Sequence, residues 1–168
     1  MRIVVAPPAP ALLPAYASLV DPVPRLRAAT RAAVDWLGPS VKVLADDLDD
    51  QRVAESLLGR RSDLDGHDLL VMANGSARRS EKAPGHLDPR AAGYDEWLRQ
   101  LLRLGDLEGL ASLDVDEGED LLAAGLRSLA VTARQLADRG VTVRDVQVDH
   151  DDCPYGVQYW VVRWQCGS

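Results

Sequence analysis

Only two cysteines and three histidines occur among the 168 residues of this chain, and that scarcity narrows its chemistry at once. Cys153 and Cys166 lack the Cys-x-x-Cys spacing of a zinc or redox site. An extended segment expected from Val157 to Trp164, rising about 3.3 Å per residue, would hold their sulfurs beyond disulfide reach. Both therefore read as ordinary thiols. His67, His86 and His150 are too widely spaced to form a helical ligand pair of the His-Glu-x-x-His kind. No apolar run approaches the roughly 20 residues that a membrane span needs. The start, "MRIVVAPPAPALLP", is too short and too rich in proline for a secretory apolar segment, so a cytoplasmic protein with no membrane partner is expected. Basic excess is missing too. Nineteen Lys and Arg stand against 26 Asp and Glu, for a net charge of -7, which disfavours nucleic acid as a partner.

What is present fits one domain spanning 1–168, since 46% of the residues are hydrophobic and no linker or repeat interrupts them. The β-branched run "RIVVA" ends at Pro7-Pro8 and reads as a first strand. Leu26, Ala29, Ala33, Trp36 and Leu37 share one face of a helix that Gly38-Pro39 stops. "VKVLA" is a second strand, and the acidic "DDLDD" supplies caps for a helix through Val53, Leu57 and Leu58. A third strand spans Asp68 to Ala73. Asp88 and Pro89 open a helix whose buried stripe is Tyr94, Trp97, Leu98, Leu101 and Leu102. One longer helix is expected from about Asp116 to Asp138, with Leu122, Leu126, Leu129, Ala133 and Leu136 inward. Two antiparallel strands close the chain, and a parity change between Val143 and Val146 predicts a bulge near Arg144 and Asp145. The fold class is α/β: a mainly parallel sheet flanked by helices, with a C-terminal antiparallel strand pair.

Sites in such sheets collect at the carboxyl ends of strands, where the third strand runs into "NGSARRSEK". Asn74, Gly75, Ser76, Arg78, Arg79 and Lys82 combine close backbone approach, a hydroxyl and three cations, a set suited to a small anionic ligand. The same residues also make a self-neutralising cluster tying a long loop to its neighbours, and residue types leave both readings open. The loop matches neither a P-loop nor a Rossmann fingerprint. Ser76 lacks the Gly-x-Ser-x-Gly elbow of a nucleophile, and "DHDDC" reads more readily as a turn than as a metal site.

"APPAPALLP" at the start, "GSARRSEKAPGHLDPRA" in the middle and "DDCPYGVQYWVVRW" at the end together resemble an actinobacterial family. That family is described as similar to the catalytic subunit of class III extradiol ring-cleavage dioxygenases. The resemblance implies an α/β fold like that of the catalytic subunit. It implies, for active members, a non-haem Fe(II) on two histidines and a glutamate, with a further histidine as acid/base near the end of the third strand. This sequence departs from the pattern. It has no histidine before His67, the region from Val43 to Leu57 is short, and Arg78 stands where the acid/base histidine would be. Glu117 or Glu119 answers to the metal glutamate. The resulting expectation is a pseudoenzyme without a cofactor that binds a small anionic ligand or a protein partner, with a homodimer as a further option. The alternative is an active, Fe(II)-dependent ring-cleavage dioxygenase or related oxidoreductase.

Overall fold

Short β-branched runs form the centre of the molecule, and proline, glycine and aspartate set their limits. The computed structural model describes residues 1–17 and 20–167. β1 (Arg2–Ala6), β2 (Val41–Leu44) and β3 (Asp68–Met72) are parallel, with β3 between the other two. β4 (Thr142–Asp152) and β5 (Tyr159–Gly167) form the closing hairpin, and β5 pairs antiparallel with β1. The order is β2-β3-β1-β5-β4. The sheet is therefore mixed rather than mainly parallel, because the hairpin joins it through β5 and contributes as many pairings as the parallel strands do.

Period-two alternation in β1 and β3 feeds two cores. Val4, Ala6, Leu70 and Met72 meet α1 (Pro24–Trp36) and α2 (Leu48–Leu58) on one face. Ile3, Val5, Leu69 and Val71 meet α3 (Ala91–Leu104) and α6 (Leu126–Asp138) on the other, together with the short α4 (Leu107–Ala111) and α5 (Val115–Asp120). Val161 faces the first core while Trp160, Val162 and Trp164 face the second, as expected for a strand inside the sheet. The expected bulge lies between Val143 and Asp145, and a second one falls between Val148 and His150. Both put kinks into an edge strand, where regular pairing with another chain would otherwise be open.

Three helical expectations are corrected. α3 begins at Ala91, because the Asp88 carboxylate folds back onto the Arg90 amide at 2.9 Å and makes a turn before the helix. Trp97 is not in the buried stripe. It is 39% exposed and packs edge-on against Tyr94 with ring centroids 5.9 Å apart. The long helix from Asp116 is in fact α5 and α6, broken at 121–125, which leaves Leu122 half exposed with a φ of 57°. Tertiary contact overrides helical periodicity here. Gly125 has a φ of 74° and lies so close to the end of β3 that a Cβ would sit 1.7 Å from the Met72 carbonyl oxygen.

Candidate functional site at the strand ends

The chain leaves β1 towards α1 on one face and leaves β3 towards α3 on the other. The crevice between their carboxyl ends is thus the topological switch point, where open α/β sheets usually hold ligands. Two loops fill it, one from each strand, and a half-exposed or buried arginine ties each of them down.

The first loop runs through the proline-rich segment and makes two short 3-10 turns, at Pro10–Leu12 and Pro14–Tyr16. Arg27, only 5% exposed, donates to the Leu12 carbonyl at 2.7 Å and the Ala11 carbonyl at 2.5 Å, and pairs with Asp21 at 2.7 Å. That pairing holds the Asp21 carboxyl below its ordinary range.

The second loop contains the predicted site residues. Asn74 exchanges two hydrogen bonds with Ala124: its amide donates to the carbonyl at 3.0 Å, and its Oδ1 accepts from the Ala124 amide at 2.8 Å. The Gly75 amide donates to the Gln158 carbonyl at 3.0 Å. Ser76 is fully buried, with its amide 2.8 Å from Asp95 Oδ1 and its hydroxyl 2.8 Å from the Leu121 carbonyl. The amides of Ala77, Arg78 and Arg79 donate to the Leu121 carbonyl, Ser76 Oγ and the Gly156 carbonyl respectively. Every backbone amide from Asn74 to Arg79 is thus already committed inside the chain.

The cations differ in the same way. Arg79 Nη1 lies 3.0 Å from Asp95 Oδ2 and 3.3 Å from Gln158 Oε1. Arg99 reaches the same Gln158 oxygen at 3.3 Å, pairs with Glu96, and has its Nε 2.9 Å from Asp151 Oδ2. This last contact is one of charge and distance, since the Nε hydrogen is not aligned for a bond. Arg78 donates to the Asp120 carbonyl at 3.1 Å and stands 3.9 Å from Asp88. Lys82 is exposed and has no ion pair or hydrogen bond among the described residues. Asp95, with no exposure at all, is the centre of the network. Burial pushes its carboxyl up, against the opposing pull of the Ser76 amide and the Arg79 guanidinium. The Ser76 amide and the Arg79 guanidinium of this loop are both directed at the chain's own Asp95 carboxylate.

The N-terminus of α6 repeats the arrangement. Asp46, just past β2, accepts from the Arg127 amide at 3.1 Å and the Ser128 amide at 2.7 Å, the donors that a helix start offers to an anion. Asp46→Ala should cost about 1 kcal/mol, the usual value of a helix cap, read by urea denaturation. A variant as stable as the parent would show that solvent serves those amides equally well.

The three histidines do not converge. His67 precedes β3 and His86 follows it in the loop, so the length of that strand separates them. His150 lies on the edge strand β4, buried, with no partner for its Nε2, and desolvation holds its imidazole below the ordinary histidine range. Glu119 forms a bidentate pair with Arg127 at 2.5 and 2.7 Å. Among the described residues, no three His, Cys, Asp or Glu side chains come together as a metal site. This donor set does not fit an Fe(II) held by two histidines and a carboxylate. Cys153 and Cys166 are free thiols, and burial pushes both up, away from thiolate reactivity. Among the described residues, no helix is long and apolar enough to cross a membrane. Among the described residues, the exposed aromatic side chains are Tyr16, Trp97 and Tyr155.

Reading the sequence alone missed Asp95, Arg99, Gln158, Arg27 and Asp46. A signal existed for two of them. Asp95 falls on the buried stripe of α3 beside Tyr94 and Leu98, and Arg27 on that of α1 beside Leu26, where a charged residue is an anomaly that calls for a partner. No family model matches the chain, and no curated protein matches it.

Proposed function

We propose that this protein is a non-catalytic, class III extradiol dioxygenase-like α/β protein whose role is to bind a small organic anion rather than to cleave a ring. The observation that carries the non-catalytic part of this reading is the internal occupation of the strand-end crevice. Asp95 fills the anion position of the β3 loop, and Asp46 fills that of the α6 N-terminus. In the family that the sequence resembles, a histidine near this place moves protons. Arg78 and Arg79 cannot do so near neutral pH, because a guanidinium keeps its proton there. Two committed carboxylates and two committed arginines make the edge a scaffold, which favours another surface of the fold for ligand binding.

The test is turnover. Incubated in air with added Fe(II) and simple catechols, the protein should give no ring-opened chromophore above the rate of Fe(II) alone. Ring opening that depends on the protein, and is lost on substituting His67, His86 or His150, would overturn the proposal.

A further inference from the structure

At the opposite end of the sheet, beside the amino ends of β2 and β3, a groove of about 480 Å³ opens between the edge strand and α6. That volume is within the range of small-ligand pockets. Alternation along β2 turns Lys42 and Leu44 towards α6, and Leu69 of β3 continues the same face. Thr132 and Leu136 lie one turn apart on one face of α6, and Arg139, just past the end of that helix, extends the facing wall. Leu44, Leu69 and Leu136 make an apolar floor. Leu64, 85% exposed, stands at the mouth as an uncovered apolar lip.

The rim has the opposite character. Lys42, His67 and Arg139 all line the groove, and none has an ion pair or side-chain hydrogen bond among the described residues. Asp65 is the one carboxylate among the lining residues. In a chain of net charge -7, many of whose arginines pair with a carboxylate, Lys42 and Arg139 gathered on one rim without such a partner among the described residues ask for a reason. The dipole of α6 supplies one for Arg139, which follows the carboxyl end of that helix. It supplies none for Lys42 on a strand.

We infer that this groove binds a small amphipathic organic anion, its apolar body on Leu44, Leu69 and Leu136 and its carboxylate or sulfonate head at Lys42 and Arg139. The inference rests on the reading of the protein as an anion binder and names the site and ligand class. Cationic rim and apolar floor each contribute a separate requirement. A purely polar anion would leave the leucines wet, and a neutral apolar ligand would leave the cations without a counter-charge.

The probes are 8-anilinonaphthalene-1-sulfonate, octanoate and octanol, titrated by fluorescence and calorimetry at low salt. Octanoate should displace the dye and bind at least about tenfold more tightly than octanol, with amide shifts in NMR spectra confined to residues 42–44, 64–69 and 132–141. Lys42→Glu/Arg139→Glu should lower octanoate affinity at least about tenfold. Both side chains are exposed, so the fold should be untouched, which the same spectra report. Arg78→Ala/Lys82→Ala, at the far end of the sheet, should leave octanoate affinity unchanged. Equal affinity for octanol and octanoate, indifference to the charge reversal, or no binding at millimolar octanoate would each overturn the inference. Failure of the non-catalytic reading is distinguishable, because it would appear as catechol turnover whatever the groove binds.

Discussion

Replacing Arg79 with alanine is expected to destabilise the fold by about 2 kcal/mol at neutral pH, below the loss from a fully buried pair because Arg79 is partly exposed while Asp95 is not. The cause lies with the residue left behind. Asp95 has no exposure, so without the guanidinium 3.0 Å away its charge is left to the Ser76 amide and to the field of Arg99, which makes no ion pair with it among the described residues. Two features separate this from an ordinary surface effect. First, adding Asp95→Asn to Arg79→Ala should restore about 1–2 kcal/mol, since the amide oxygen can still accept from Ser76 and no charge is then buried. Second, the cost of Arg79→Ala should shrink in acid. Without Arg79 the folded Asp95 is pushed up further above its unfolded value, the folded state then binds the extra proton, and its stability falls as pH rises. Urea denaturation of the parent, the single variants and the double variant at pH 4.5 and 7.5 measures all of these. A cost below about 1 kcal/mol that is insensitive to pH would mean that Arg79 is a solvated contact, free to receive an external anion.

The same residues show how far a sequence can be read without coordinates. Local signals gave the right limits at several elements, though not at α3, where the Asp88 carboxylate is spent on a turn before the helix. Pro7-Pro8 ends β1, Asp47 caps α2 by accepting from the Asp49 and Asp50 amides, and the parity change in β4 marks a real bulge. The sequence singles out the carboxyl end of β3 as a place where such sheets collect ligands, and the strand order puts that end beside the switch point between β1 and β3. What local pattern could not convey was which distant groups would answer. Ser76 meets Asp95 across 19 residues, Asn74 meets Ala124 across 50, and Arg79 meets Gln158 across 79. Each of these turns an apparent ligand-binding group into a committed one. The break between α5 and α6 has the same origin, because the 121–125 turn is held by Asn74 and Ser76 rather than by its own helical preference.

Asp50→Asn is expected to stabilise the protein, by about 2–3 kcal/mol at pH 8 and by almost nothing at pH 3.5. Asp50 lies in the first turn of α2, where the helix dipole favours a negative charge. Its surroundings outweigh that benefit. The side chain is 9% exposed, no hydrogen bond or ion pair reaches its carboxylate among the described residues, and Asp46, Asp47 and Asp49 crowd it with like charge. Desolvation first, and those neighbours second, push its carboxyl up from 3.8 to about 6. A folded value above the unfolded one means that the folded state binds the proton more tightly. The penalty is therefore absent below the unfolded value, grows as pH rises through the interval from 3.8 to about 6, and is complete above it. A rise of that size corresponds to about 3 kcal/mol, and residual screening by water lowers it towards about 2. Asparagine has the same shape and cannot ionise, so it removes the penalty without opening a cavity. In a domain of this size the gain should raise the melting temperature at pH 8 by roughly 5–10 °C. The difference between variant and parent, followed by calorimetry from pH 3.5 to 8, cancels the other titrating groups. A difference that stays constant across that range would show that the Asp50 carboxylate ionises as freely in the folded chain as in the unfolded one, with the acidic turn after β2 relaxed enough to admit water.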